Sequence, residues 1–95
     1  MSDRYQRSEK LLKRACQTIP LGSQTFSKSK TNFPYGASPF FIERGSGSHV
    51  WDVDGNEYID FINGLLCLSL GYRDPDVDAA VQDQLRQGVT FSLPH

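Results

Sequence analysis

Two short alternating stretches, His49-Val50-Trp51-Asp52-Val53 and Glu57-Tyr58-Ile59-Asp60-Phe61, flank an Asp54-Gly55 pair. Glycine takes positive φ at little cost, so Asp-Gly between two such runs is a strong hairpin signal. A third run, Phe40-Phe41-Ile42-Glu43-Arg44, precedes them across the turn-forming Gly45-Ser46-Gly47-Ser48. The three predict an antiparallel meander over 40–61. A meander this small cannot cover its own aromatic residues, so the flanking segments must supply a second layer.

Those segments carry helical signals. Asp3 can cap a first helix, with Gln6 three residues on completing a capping box. Tyr5, Leu11, Leu12, Ala15, Cys16 and Ile19 recur at helical spacing, and Pro20 and Gly22 stop the pattern. A helix over 3–19 is expected. Residues 20–39, rich in Gly, Ser, Thr, Lys and Pro, predict a loop longer than most connections, functional or resting on another element. Asn63 to Leu70 is apolar without clear period. Asp74 caps a second helix over 75–87, Pro75 suits its first position, and Asp76 and Asp78 suit its positive end. Val77, Ala80, Val81 and Leu85 are expected to face the core, and Gly88 closes the helix. The fold class is α+β.

Length and charge exclude several functions. Ninety-five residues make one domain at most. Ten basic and eleven acidic residues leave a net charge of −1. That balance gives no reason to expect a nucleic acid or an acidic membrane as partner. No apolar run approaches the ~18 residues of a membrane span, and the charged start is unlike a secretory signal. The charge is uneven. Residues 1–30 hold seven basic and two acidic groups, the remainder three and nine. The basic first helix reads as a solvated face, with a partner surface as the alternative. Cys16 and Cys67 form no Cys-x-x-Cys motif, which argues against a zinc site or disulfide framework and for a reduced, cytoplasmic setting.

Motif physics alone assigns no reaction. Asp52-Val53-Asp54-Gly55-Asn56 has the opening spacing of a calcium loop, but Glu57 stands where that loop needs Gly and Asn63 where it needs Glu. Gly45-Ser46-Gly47 precedes a strand, not a helix, and so makes a poor phosphate cradle. His49 and His95 lack metal-ligand spacing, and no metal site is expected. Asp52, Asp54 and Asp60 read as turn and edge carboxylates. On the residues alone, a free-standing β-meander binding or interaction module without catalytic activity stays open.

From Ser8 onward the chain resembles the N-terminal segment of class III pyridoxal-phosphate-dependent aminotransferases, in particular the glutamate-1-semialdehyde 2,1-aminomutases and related aminotransferases of surface-polysaccharide pathways. The resemblance is carried by Ile19-Pro20-Leu21-Gly22, Ser38-Pro39-Phe40-Phe41-Ile42, the block from Gly45 to Phe61, Leu70-Gly71-Tyr72 and Asp74-Pro75-Asp76-Val77. It is most specific between Trp51 and Asp60.

The resemblance implies a segment of an α/β enzyme of fold type I, larger than this chain, with pyridoxal 5'-phosphate as cofactor and a homodimer as assembly. The parent would move an amino group on a small amino or keto compound. The Schiff-base lysine and phosphate-binding groups would lie further along the chain, so no catalytic residue and no covalent cofactor attachment is expected within 1–95. The apolar run Phe91-Ser92-Leu93-Pro94-His95 is expected to continue into something that covers it. Two positions of the aminomutases' substrate loop, a Ser and an Arg that meets the substrate carboxylate, fall on Thr25 and Lys28. A Trp of that family falls on Leu65. Lysine keeps the charge but not the bidentate geometry of arginine. Leucine gives up a flat aromatic wall. Both departures point to a different amino compound, such as an amino or keto sugar. Thr25, Lys28 and Leu65 are the candidate substrate-binding residues.

Overall fold

The carboxylate of Asp54 joins the first helix to the β-meander. The computed structural model describes residues 3–95. In it, α1 spans Gln6–Ala15. Its first free amides, Arg7 and Ser8, donate to Asp54 Oδ1 and Oδ2 at 2.7 and 2.9 Å. An anion at a helix N-terminus satisfies orphan donors and meets the positive end of the helix dipole. The cap is therefore tertiary, supplied from about fifty residues away. Asp3 does not cap: it begins a 3₁₀ turn, Asp3–Tyr5, and its carboxylate accepts from the Gln6 side chain at 2.6 Å. The regular helix is also shorter than the expected 3–19, because the chain leaves it at Cys16 through turn bonds Gln17 N to Arg14 O and Thr18 N to Ala15 O.

Asp54 is presented by a hairpin. Strands β1 (Ile42–Ser46), β2 (His49–Asp52) and β3 (Glu57–Ile59) form an antiparallel sheet in the order β1-β2-β3. A β-bulge at Glu43 offsets the register, since Ile42 pairs with Asp52 and Arg44 with Trp51. The expected turn at 45–48 is tighter: Ser46 pairs with His49, and Gly47 at φ 57° occupies the first central position of a two-residue loop. The β2–β3 loop is built on a turn from Asp52 to Gly55, with Gly55 N donating to Asp52 O and Gly55 at φ 88°. Asp52 is fully buried and accepts four hydrogen bonds, from the Asp54 and Asn56 amides, the Asn56 side chain and the Tyr58 hydroxyl, at 2.8–3.0 Å. Burial alone would raise its pKa. The bonds from Asn56, Tyr58 and Asp54 outweigh it and hold the carboxyl below its ordinary range.

The core is small: Tyr5, Leu12, Val50 and Val53, with Ser8, Ser29 and Asp52 as buried polar groups. Ser8 Oγ accepts from the Phe40 amide at 2.7 Å, fastening α1 to the approach to β1. The long loop forms three 3₁₀ turns, Pro20–Gly22, Phe26–Lys28 and Lys30–Asn32, of which the first packs against α1. A side chain at Gly22 would sit 3.0 Å from Leu12.

Beyond β3, Asn63–Leu66 forms a single turn, α2, and Pro75–Gln87 forms α3 over the expected 75–87. Asp74 Oδ1 caps α3 through the Asp76 and Val77 amides. The expectation that α3 buries its apolar stripe is not met. Val77, Val81 and Leu85 are 47, 52 and 58% exposed, because α3 extends away from the sheet. The radius of gyration is 16.1 Å, against about 12 Å for a compact chain of this length.

Asp54→Ala should lower the unfolding free energy by about 1–2 kcal/mol, and Asp54→Asn by less, since one acceptor remains. Urea denaturation followed by the fluorescence of Trp51 checks this, with an unchanged midpoint for Asp54→Ala as the contrary result.

Candidate functional site

A cavity of about 480 Å³ lies between the long loop, the approach to β1 and the segment after β3. Its wall is mainly apolar: Phe33, Phe40, Phe41, Ile62 and Leu65 line it. Lys28, Asp60 and Tyr72 supply polar groups. An apolar hollow with a few convergent polar groups is the usual form of a small-molecule site.

Of the three residues expected from the sequence, two meet here. Lys28 ends the second 3₁₀ turn and Leu65 lies in α2, and both line the cavity. Thr25 does not. It precedes the turn, exposed, with its hydroxyl 3.4 Å from that of Ser27.

Sequence reasoning missed the importance of Asp60 and Tyr72. Asp60 Oδ1 accepts from the Ile62 and Asn63 amides at 2.8 and 3.2 Å. Its Oδ2 accepts from the Gly64 amide at 3.3 Å and the Tyr72 hydroxyl at 2.6 Å. The signal available was local: an Asp at the end of a strand readily takes the amides that follow it. Tyr72 is fixed independently, by paired backbone bonds to Gly47 at 2.8 and 2.9 Å. Its ring lies on Gly45, where an added Cβ would meet it at 2.5 Å.

This clamp holds an unusual backbone. Asn63, Gly64, Leu65 and Leu66 all have positive φ. Left-handed helical backbone costs roughly 1–2 kcal/mol per L-residue with a side chain. The apolar, aperiodic run read from the sequence is thus a strained turn. Strain of this kind collects at functional sites.

The two side chains of the clamp shift each other's titration, favouring an ionised Asp60 and a neutral Tyr72. The Tyr72 hydroxyl, then the Ile62 amide, hold the Asp60 carboxyl below its ordinary range against a burial penalty, with the Gly64 and Asn63 amides adding to them. In return the Asp60 carboxylate, with burial, pushes the Tyr72 phenol up to about 12. A depressed acid stabilises the fold above its unfolded pKa of ~3.9, and this is lost as pH falls through the folded value. A raised phenol contributes below its unfolded pKa of ~10, and this is lost as pH rises through about 12.

No group of three or more His, Cys, Asp or Glu among the described residues could hold a metal ion. Cys16 and Cys67 are free and exposed. No described helix is long and apolar enough to cross a membrane.

Comparison with known proteins identifies the family. The class-III aminotransferase family matches residues 31–95, more than half of the chain, and the chain belongs to that family. Among curated relatives, the glutamate-1-semialdehyde 2,1-aminomutase of Desulforamulus reducens is 43% identical over 99% of this chain and 21% of its own length. That of Chloroflexus aggregans is 40% identical over 98% and 21%. Among solved structures, the glutamate-1-semialdehyde-aminomutase of Pseudomonas aeruginosa PAO1 superposes with TM-score 0.80 and 26% identity, covering 98% of this chain and 20% of that one. An omega-transaminase from Sphaerobacter thermophilus gives 0.76 and 33%, covering 93% and 19%. The α+β arrangement here is that of the corresponding part of fold type I transaminases. The chain spans about a fifth of the length of these relatives.

Tyr72→Phe removes the largest influence on Asp60, so the Asp60 pKa should rise toward the ordinary carboxylate value. Carboxyl ¹³C NMR titration of both proteins measures it. Coincident titration curves would show that the hydroxyl does not act on Asp60.

Proposed function

We propose that this chain is the N-terminal part of a pyridoxal-phosphate-dependent aminotransferase or aminomutase acting on a small amino or keto compound, and that the cavity walled by Lys28 and Leu65 admits that substrate. The observation that carries the reading is a 43% identity to an aminomutase over nearly the whole chain, joined to a cavity at the expected loop. A solved complex of the Pseudomonas aeruginosa aminomutase with PMP superposes with TM-score 0.80, which supports the cofactor assignment for the parent enzyme. We infer a homodimer and a cytoplasmic setting for that enzyme from the same kinship.

The described residues do not themselves fit the cofactor. The first amides of α3 are taken by Asp74, and those at Ile62 to Gly64 are taken by Asp60. Neither set remains for a phosphate, so the cofactor's anchoring belongs to the remainder of the parent. Within the cavity, the Lys28 ammonium acts on an anionic group of the substrate as a point charge. Leu65 offers an aliphatic wall where the aminomutases of the resemblance have an aromatic one, which favours a bulkier or non-planar amino compound. Thr25, outside the cavity wall, enters as a rim residue.

The test is a full-length parent enzyme loaded with pyridoxal phosphate and assayed with amino donors and anionic acceptors. Lys28→Ala should raise KM for an anionic substrate by the equivalent of about 1–3 kcal/mol, leaving the cofactor's absorbance unchanged. Lys28→Arg should be tolerated. If Lys28→Ala leaves kcat/KM unchanged for every anionic substrate, the lysine is only a solvated charge.

A further inference from the structure

The left-handed turn beside the cavity is not imposed by packing. Leu66, with φ 77°, is 87% exposed, and Leu65, with φ 64°, is 50% exposed. The bonds Leu66 N to Ile62 O and Leu68 N to Asn63 O close the turn from within, but they do not tie it to the sheet. That tie runs through Asp60. The Asp60 amide donates to Ser48 O at 2.9 Å, which registers the residue to the β1–β2 hairpin. Its partner Tyr72 is bonded to Gly47 of the same hairpin. The clamp therefore stands on one rigid corner at both ends.

We propose that Asp60 is a positioning residue of the substrate site: through the amides of Ile62, Asn63 and Gly64 and the hydroxyl of Tyr72, it fixes the left-handed turn that sets Leu65 on the cavity wall. The inference rests on reading the cavity as a substrate site. An ionised carboxylate suits this task because four donors converge on its two oxygens and it carries no donor of its own. An amide in its place would turn an NH₂ group toward two of those donors. Asp60 also lines the cavity, but both of its oxygens are engaged by these four donors, so its action on the substrate runs through Leu65 and the turn.

The experiment uses the full-length parent enzyme and three variants: Asp60→Asn, Tyr72→Phe, and Asp60→Asn combined with Leu66→Gly. Leu66 does not line the cavity, and glycine takes its positive φ without side-chain crowding. Amide hydrogen exchange is read at residues 62–66 and, as a control, across α1 and β2. Steady-state kinetics are read in parallel. Asp60→Asn should speed exchange at 62–66 about tenfold or more while α1 and β2 stay protected, and raise KM about tenfold with kcat little changed. Tyr72→Phe, which leaves the backbone bonds in place, should move both readouts in the same direction by less. It stands in if Asp60→Asn fails to fold. The combined variant should recover much of the lost KM with exchange in α1 and β2 unchanged, whereas a general folding role for Asp60 would speed exchange across α1 and β2 in Asp60→Asn. Unchanged exchange at 62–66 in both single variants overturns the proposal. So does faster exchange with unchanged KM, or a KM that glycine at position 66 does not rescue. If the wild-type enzyme transfers no amino group, the substrate-site reading fails. The exchange arm then still decides whether Asp60 holds the turn.

Discussion

A buried carboxylate with four hydrogen bonds organises this segment. Asp52 gathers two amides and one side-chain amide of the loop it begins, and the Tyr58 phenol of β3. A charge removed from water is tolerated only when its lone pairs are so occupied. The consequence is a rigid β2–β3 loop. Asp54, two residues on, can then be held as a fixed anion and cap α1. Asn56 also donates to Arg4 O at 3.0 Å, so the same loop ties down the turn that precedes the helix. Helix, loop and sheet thus depend on one another through a few polar contacts more than through apolar area.

The second carboxylate constellation repeats the pattern at the other end of β3. Asp60 takes three successive amides and a phenol, and stabilises backbone that leucine does not favour by itself. The cavity lies against this turn, so the clamp fixes one of its walls. Glycines at 45 and 71 make the arrangement possible. The Tyr72 ring occupies the space a Cβ at Gly45 would need, and Gly71 passes within 2.9 Å of the Gly47 carbonyl measured from such a Cβ.

Much apolar surface is left open. Phe61 is 88% exposed, and the stripe of α3 from Val77 to Leu85 is only about half covered. Large exposed apolar patches mark contact surfaces. The relatives of this chain are about five times as long, which accords with the proposal that further parts of a parent enzyme cover these faces.

The amino-acid sequence by itself determined the local elements. The Asp-Gly signal specified the β2–β3 hairpin, and Asp74-Pro75 with Gly88 specified α3, because these are effects of neighbouring backbone and side-chain groups. The block from Trp51 to Asp60 also carried the family resemblance, and through it two of the cavity residues, Lys28 and Leu65. Tertiary structure alone decided what depends on distant groups. Asp54 rather than Asp3 caps α1, because the hairpin brings a carboxylate to amides some fifty residues away. Asn63 and Gly64 readily take the left-handed turn, but Leu65 and Leu66 disfavour it; Asp60 and Tyr72, both fixed to the β1–β2 hairpin, hold it. The exposed stripe of α3 shows the same division: periodicity can say which face is apolar, but only the packing of the folded chain decides whether that face is covered.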